Sequence, residues 1–381
     1  MPKLPPVLLT LAVLVLAGCG SSNSASSSSS TTTAAVSTAA STTAFIAPFT
    51  TVSSLGTTEP PNGDANPYGL VYVPTTVGNL KAGQLLVSNF NNKTDGQGTG
   101  TTIDQMTTGG QLSLFATVDA KTLPGSCPGG VGLTTALNVL PGGYVVVGSL
   151  PTTNGKSATA KVGCLIVLDS SGHVVKTIAG SQIEGPWDST AVTNGAVTTL
   201  FVSNALNGGA VKGLHTINNS TVVRIQLESG PGQPPKVLSQ QVIAEGIPWR
   251  DDPEALVIGP TGLGLGADGT LYLADTLANR ITAIPEAVTR TTAVPGGGAT
   301  VSQGGHLKEP LGLVIAPNGN IITTNAGDGN IVETTPAGKQ VAVAPADPKT
   351  GAGSLFGLVV AHGGHGIYFV DDGDNTLRLL H

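Results

Sequence analysis

Short apolar runs, separated by turns that contain glycine, recur along most of the chain. Runs such as VVV at 145–147 and LYL at 271–273 do not alternate with polar residues. A strand that is buried on both faces has this continuous pattern, whereas a strand in a one-sided sheet alternates between apolar and polar residues. The pattern therefore predicts short strands, each packed between two neighbouring sheets.

The apolar runs belong to a unit that is repeated six times. Each unit has a glycine near the start, followed by leucine in five of the six units, then a turn, an apolar second strand closed by a small polar residue, and a third and a fourth strand. The clearest copy is GLGLGADGTLYLADTLANRITAI at 262–284, and other copies begin at Gly69, Gly132, Gly185, Gly312 and Gly357. The residues that close the second strands are Asn89, Ser149, Asn204, Asp275, Asn325 and Asp371. Six repeats of four strands predict an all-β fold, a six-bladed β-propeller with four-stranded antiparallel blades.

The two ends of this region predict how the ring closes. The sixth unit stops at His381, directly after its third strand. The segment FIAPFTTV at 45–52 resembles a strand and has no other obvious partner. We expect this N-terminal strand to complete the last blade, because closure removes an exposed sheet edge.

The repeat units resemble a known family. GLGLGADGTLYLADTLANRI and GLVIAPNGNIITTNAGDGNI are similar to NHL repeats; the last three units match well and the first three only loosely. The resemblance implies an NHL-like propeller over residues 44–381 that serves recognition. Because one fold hosts many functions, the function has to be argued from the site.

The amino-acid composition supports β-structure and limits the kinds of partner that the chain is expected to bind. Glycine is abundant, with 53 residues, and only 10% of residues are charged, which favours tight turns and β-structure. The formal net charge of −6 provides no basic surface, so nucleic acid is not a predicted partner.

The N-terminus predicts export. Lys3 precedes an apolar run that is too short to cross a bilayer as a helix, and LAGC at 16–19 resembles a bacterial lipobox. The resemblance implies a signal peptide at 1–18, cleavage before Cys19 and lipid on its thiol, although an ordinary secreted protein is the alternative. Residues 19–43 are then the lipidated cysteine and a Ser/Thr-rich tether that cannot bury enough apolar surface to fold. We expect a lipid-anchored protein of the bacterial cell envelope that faces the periplasm or the exterior.

The two remaining cysteines, Cys127 and Cys164, are expected to share one rim of the propeller. In an oxidising compartment such a pair is more typical of a disulfide than of a metal site or a nucleophile. Free thiols are the alternative.

The longest loops precede the first strands or follow the second strands, which places them on one face of a propeller. Tyr68, Leu311 and Phe356 are expected to rim the central channel there, and both tryptophans fall on the same rim, where Trp and Arg are typical interface anchors. The predicted ligand-binding residues are Tyr68, Asn89, Trp187, Asn204, Trp249, Arg250, Asp275, Asn325, Phe356 and Asp371. Apolar walls with a few polar groups suit a small molecule or a peptide, and an envelope or extracellular protein is another candidate partner. A plugged channel, and for Asp275 and Trp249 a purely structural role, remain as alternatives.

A second resemblance supplies an alternative function. EGPWD at 184–188 is similar to a motif of gluconolactonase-like propellers, in which the Glu binds a divalent metal at the ring centre. It implies Glu184 as the candidate catalytic residue of a metal-assisted, lactonase-like hydrolase or lyase. The family has Asn or Asp at later positions that are occupied here by Thr261, Leu311 and Phe356. The favoured interpretation is therefore recognition without catalysis and without a cofactor, and a divalent cation belongs to the alternative.

Overall fold

The computed structural model describes residues 43–209, 215–230, 232–347 and 353–381. The signal peptide, Cys19 and all of the tether except Thr43 lie outside the described residues. Within the described ranges, no helix is both long and apolar enough to span a bilayer.

The described residues form twenty-six strands and four short 3₁₀ helices. The strands are β1 (Val52–Thr57), β2 (Ala65–Tyr72), β3 (Leu85–Asn91), β4 (Thr102–Met106), β5 (Leu112–Thr117), β6 (Leu133–Leu140), β7 (Tyr144–Ser149), β8 (Cys164–Leu168), β9 (Val174–Ile178), β10 (Pro186–Asn194), β11 (Val197–Asn204), β12 (Ile217–Gly230), β13 (Gln233–Asp252), β14 (Leu256–Ile258), β15 (Pro260–Leu265), β16 (Leu271–Asp275), β17 (Arg280–Ile284), β18 (Val294–Pro295), β19 (Ala299–Gln303), β20 (Pro310–Ile315), β21 (Ile321–Asn325), β22 (Asn330–Thr334), β23 (Gln340–Pro345), β24 (Leu355–Val360), β25 (Ile367–Asp371) and β26 (Thr376–Leu380). The 3₁₀ helices are Ala120–Thr122, Pro141–Gly143, Ser157–Thr159 and His362–Gly364.

The strands form six antiparallel sheets, and the predicted six-bladed β-propeller is confirmed. The blades are β2-β3-β4-β5, β6-β7-β8-β9, β10-β11-β12-β13, β15-β16-β17-β19, β20-β21-β22-β23 and β24-β25-β26-β1. The third blade is enlarged, because β14 and β18 also pair with its long outer strand β13. The first strand of each blade contacts the first strands of both neighbouring blades, so these six inner strands surround the axis.

An N-terminal strand closes the ring, as expected, but it lies later in the chain than predicted. The pairing runs from Val52 opposite Leu380 to Thr57 opposite Thr376, not over residues 45–52. Residues 45–49 form an anchored turn instead: the amides of Phe45 and Ile46 each donate to the Glu333 carboxylate at 2.8 Å. Pro48 lacks an N–H group, which makes this segment a poor strand.

The second strands are buried throughout, as their continuous apolar runs predict. Every residue of β7 and β16 is buried between adjacent blades. Burying a Val, Leu or Ile side chain contributes about 1.5–3 kcal/mol, so these layers supply much of the stability of the ring.

The Gly-Leu motif has a steric cause at the axis. At three of the motif glycines, a Cβ atom would meet a carbonyl oxygen of the next inner strand: Gly262 with Leu311 at 2.4 Å, Gly312 with Phe356 at 2.2 Å and Gly357 with Tyr68 at 2.5 Å. Only glycine allows inner strands to approach this closely.

Hydroxyl groups in the second strands join neighbouring blades near the axis. Ser88 accepts a hydrogen bond from the Gly69 amide at 3.0 Å and donates to the Thr134 carbonyl of the second blade at 2.7 Å. Equivalent donations to the next blade run from Ser203 to Thr261 at 2.7 Å and from Thr324 to Phe356 at 3.0 Å. The inner strands therefore form a rigid frame for the residues at their ends.

Candidate functional site

The structure separates the predicted ligand-binding residues into two groups. Tyr68, Trp187, Arg250 and Phe356 line one cavity of about 360 Å³, whereas the other six do not. The cavity lies on the axis where the inner strands begin, on the face that carries the long loops, and we call it the loop-face cavity. It is lined by Asn66, Tyr68, Trp187, Arg250, Asp252, Glu254, Ala255, Val257, Ile258, Thr261, Thr276, Glu309, Leu311, Ala326, Gly353, Phe356 and Asp372.

A cluster of aromatic rings supports the floor of this cavity. The Tyr68 ring is stacked between Phe90, with centroids 4.4 Å apart, and Phe356, with centroids 4.0 Å apart. The Trp187 ring lies beside the stack, 5.7 Å from Tyr68 and 6.4 Å from Phe356. Tyr68 and Phe356 each stand directly before the motif glycine of their inner strand, which fixes both rings at the mouth of the channel.

A hairpin from the third blade forms one wall of the cavity. Strands β13 and β14 pair from Arg250 opposite Ile258 to Asp252 opposite Leu256. The Asp252 carboxylate accepts from the Glu254 and Ala255 amides at 2.9 and 3.0 Å, which closes the tight turn. Asp252 also forms an ion pair with Arg250 at 2.9 Å.

Trp249 anchors this hairpin and does not face the cavity. Its side chain is fully buried, and its indole N–H donates to Oδ1 of Asn219 on β12. The tryptophan thus packs against its own scaffold.

Asp372 is the most unusual charged group of the cavity. Burial, together with the charges of Asp95 and Asp371, raises the pKa of the Asp372 carboxyl to about 7. Burial, and then the charge of Asp372, raise the pKa of Tyr68 far above its usual value. The phenol therefore stays protonated at any physiological pH.

Asn66 provides an unsatisfied acceptor at the same wall. Its backbone has a positive φ of 58°, and its amide donates to Oδ1 of Asn375 at 2.8 Å. The residue is only 5% exposed; its side chain forms a hydrogen bond with the Tyr68 phenol, while its Oδ1 has no hydrogen-bond partner within the described part of the chain. A buried acceptor without a partner costs about 1–3 kcal/mol, which marks a position that a ligand donor can satisfy.

Sequence reasoning missed Asn66, Glu309 and Asp372. Nothing in the local sequence distinguishes Asn66 or Glu309 from other polar loop residues. The signal for Asp372 was its place directly after Asp371, which closes the second strand of the last blade.

The polar residues that close the second strands are fully buried inside their blades and do not line the cavity. Their side chains hold the third strand of the same blade or the loop before its first strand: Asn89 donates to Asp104 at 2.8 Å, Asn204 to the Gln182 carbonyl at 3.1 Å and Asn325 to the His306 carbonyl at 2.7 Å, while Asp275 pairs with Arg280 at 2.8 Å and Asp371 with Arg378 at 2.9 Å. These contacts are structural, and the structure does not bring these predicted ligand-binding residues to the loop-face cavity.

Glu184 also lies outside the cavity. Its carboxylate accepts from the Gly208 amide at 2.5 Å and so ties the start of the third blade to the loop after β11. Within the described ranges, no three His, Cys, Asp or Glu side chains come close enough together to hold a metal ion. Since oxygen-ligated divalent cations need several converging carboxylates or carbonyls, these residues do not fit the metal centre that the EGPWD resemblance implied.

Cys127 and Cys164 are joined by a disulfide, with 5.2 Å between their Cα atoms. The bond links the loop before β6 to the start of β8. It fixes a loop of the second blade on the face that carries the cavity.

The fold and site together define a six-bladed β-propeller with an aromatic and acidic cavity on its loop-rich face. No family model matches the chain, and no curated protein matches it. Several solved structures match the chain. They include a gluconolactonase from Xanthomonas campestris, with 14% identity, a TM-score of 0.53 and coverage of 86% of this chain and 88% of that one. A streptogramin B lyase matches with 12% identity, a TM-score of 0.51 and coverage of 87% and 97%. A luciferin-regenerating enzyme matches with 12% identity, a TM-score of 0.52 and coverage of 86% and 94%. At these identities the similarity shows the shared fold alone.

Proposed function

We propose that this protein recognises a small organic ligand in the loop-face cavity. The observation that carries the proposal is the cavity itself, in which the Tyr68, Trp187 and Phe356 rings adjoin the Asn66 Oδ1 atom, which has no hydrogen-bond partner among the described residues. Its volume of about 360 Å³ lies within the range of about 300–1,000 Å³ that small-molecule sites occupy.

The construction of the cavity supports a binding role. Five inner strands begin at its wall, so the rings are fixed by the frame of strands. Preorganised groups bind more tightly because less conformational entropy is lost on binding.

A variant in which a bulky side chain fills the loop-face cavity tests this proposal. A chemically diverse set of small molecules is screened for thermal stabilisation of the full-length chain and of Ala255→Trp. Ala255 is an exposed residue of the cavity wall, so its replacement fills the cavity without disturbing the core. The control is Ala82→Trp, at an exposed position in the turn between β2 and β3 on the opposite face.

We expect ligands that raise the Tm of the wild-type protein and of Ala82→Trp, but not of Ala255→Trp. If every stabilising compound acted equally on all three proteins, binding would lie elsewhere and the proposal would fail.

A propeller hydrolase or lyase is the second candidate, because one observation favours it. A carboxyl group with a pKa near 7 at a cavity wall, as in Asp372, suits general acid–base catalysis. Under the recognition proposal, a panel of lactones and esters shows no turnover above the blank with the wild-type protein. Turnover that is lost in Asp372→Asn but kept in Glu184→Gln would establish an enzyme centred on the cavity.

We also propose that the propeller is held at the bacterial cell envelope by lipid on Cys19, with residues 19–43 as its tether. The sequence LAGC at 16–19 and the uncharged tether support this. Replacing Cys19→Ser should move the protein from the membrane fraction to the soluble fraction, and a protein that stays with the membrane would argue against a lipid anchor.

A further inference from the structure

Resting on the function proposed above, we infer that the ligand is an organic cation, in which a protonated amine is attached to a flat apolar body. The juxtaposition that carries this inference is an aromatic floor beside three carboxylates without cationic partners and one buried amide oxygen without a donor. No comparison with known proteins assigns such a ligand to this chain.

The aromatic floor is the reason for inferring that the ligand has a flat apolar body. Tyr68, Trp187 and Phe356 are each at most 6% exposed, yet all three line the cavity, so a ligand meets ring surface that is almost free of water. Aromatic rings bind flat apolar groups and also attract cations within about 6 Å of their centroids.

The charged residues of the cavity wall are the reason for inferring a cationic ligand. Among the described residues that line the cavity, the one basic side chain is Arg250, which is already paired with Asp252. Glu254, Glu309 and Asp372 form no ion pair within the described part of the chain. A cationic ligand therefore meets uncompensated negative charge, whereas an anionic ligand is repelled.

Within the described ranges, no basic side chain forms an ion pair with Asp372. From the loop after β3, Asp95 approaches it, and the Asp95 carboxylate is occupied by Nδ2 of Asn91 at 2.7 Å. From β25, Asp371 contributes a further negative charge and is itself paired with Arg378. From β2, Tyr68 faces Asp372 as a neutral phenol. Each of these neighbours disfavours the ionised Asp372 or leaves it unchanged, and an ammonium group would favour it.

Asn66 adds a specific requirement for N–H groups. Its buried Oδ1 at the cavity wall needs a donor, which a protonated primary amine supplies and a carboxylate does not. The two observations, on charge and on hydrogen bonding, are independent and point to the same group.

Three probes of nearly equal shape test the inference: 2-phenylethylamine as the cation, 2-phenylethanol as the neutral analogue and 3-phenylpropanoate as the anion. Their affinities for the full-length chain are measured by calorimetry at pH 8. We expect the amine to bind at least about tenfold more tightly than the alcohol, because charge-assisted hydrogen bonds are roughly twice as strong as neutral ones. The anion should bind most weakly.

Two variants test whether Asp372 in the cavity wall causes the preference for the amine over the alcohol. Asp372→Asn should lower the affinity for the amine about tenfold and leave that for the alcohol unchanged, since truncating a charge partner affects only the charged ligand. Glu228→Gln removes the same charge at an exposed site on β12, far from the cavity wall, and should change neither affinity.

The pH dependence supplies a second readout. The amine stays protonated between pH 6 and 8, so any change in its affinity over that range comes from the protein. Because the pKa of Asp372 is about 7, we expect binding of the amine to weaken as the pH falls from 8 to 6, and this dependence to disappear in Asp372→Asn.

The outcomes separate this inference from the proposed function. Equal affinities for amine and alcohol, no binding of the amine, or an unchanged amine affinity in Asp372→Asn would each overturn the cationic ligand. The proposed function would survive any of these results as long as the diverse screen still yields ligands that Ala255→Trp excludes. If Ala255→Trp excludes none of the stabilising compounds, both proposals fail.

Discussion

The two ends of the central channel share the same six inner strands but differ in what lines them. At the loop-rich end, aromatic rings and unpaired carboxylates surround the cavity. At the opposite end, a cavity of about 280 Å³ is lined almost wholly by the inner strands themselves, including motif residues such as Gly312, Leu313 and Leu358. The repeat motif therefore builds one end as a scaffold, and the variable loops give the other end its chemistry.

Asp188 and Asp372, one at each end, make this difference concrete. Burial raises the pKa of both carboxyls to about 7. Asp188 nevertheless accepts a hydrogen bond from the Leu263 amide at 2.9 Å, which joins the third blade to the fourth. The interactions that shift the pKa of Asp372 include no such donor. The same raised pKa thus accompanies a structural contact at one end and an unsatisfied charge at the other.

The largest effect is expected at the scaffold end, for Gly312→Ala. The added Cβ would lie 2.2 Å from the Phe356 carbonyl oxygen, so two inner strands would have to separate. We expect a loss of about 3 kcal/mol in the free energy of unfolding, the upper range for overpacking, measured by denaturant titration. Gly109→Ala is the control, because its Cβ meets nothing closer than 3.8 Å. Equal stabilities of the two variants would show that the inner strands are not tightly packed.

A smaller effect is expected when the two aspartates are each replaced by Asn and by Ala. Asp188→Ala should be less stable than Asp188→Asn by about 2 kcal/mol, because only Asn keeps an acceptor for the buried Leu263 amide. Both replacements remove the charge, so the difference reports the lost acceptor together with the lost side-chain volume, and not the charge. For Asp372, the Ala and Asn variants should agree within about 0.5 kcal/mol. A clear loss in Asp372→Ala relative to Asp372→Asn would mean that this carboxyl also has a structural role, and the contrast between the ends would disappear.

The scaffold was predictable from the sequence because its physical constraints recur. Crowding at the axis selects glycine in inner strands, as at Gly262, Gly312 and Gly357, and burial on both faces selects continuous apolar strands. The closing strand was placed too early because residues 45–52 are richer in apolar residues than Val52–Thr57, the segment that forms the strand. Residues 45–49 do not join the sheet because Pro48 lacks an N–H group and because the Glu333 carboxylate, 288 residues away from Phe45, binds the Phe45 amide.

The candidate site was predictable only where the frame fixes it. Tyr68, Trp187 and Phe356 stand at fixed positions in inner strands, and the structure brings them together. Asp372 lines the same cavity because of the path of the loop after β25, and Asn66 does so from the start of β2, where its backbone has a positive φ; the local sequence encodes neither. The buried polar residues that close the second strands were assigned to the channel because their partners could not be identified. Even the partner of Asp275, Arg280 in the same repeat unit, became clear only from their 2.8 Å contact.

The smallest expected effect is the pH dependence of stability at Asp372. Its pKa is about 7 in the folded protein and about 3.9 in an unfolded chain, so the folded state holds the proton more tightly. This group therefore lowers the stability of the wild-type protein as the pH rises from about 4 to about 7, and Asn at this position does not titrate. Asp372→Asn should match the wild-type protein near pH 4 and exceed it by on the order of 1 kcal/mol at pH 8, since partial solvent screening reduces the full linkage value. Other buried carboxyls titrate in the same range, so the informative quantity is the difference between the stability curves of variant and wild-type protein, with Glu228→Gln as the charge-matched control.

Parallel stability curves for Asp372→Asn and the wild-type protein would mean that the carboxyl is already satisfied in the free protein. The loop-face cavity would then hold no uncompensated charge at this residue for a ligand to neutralise.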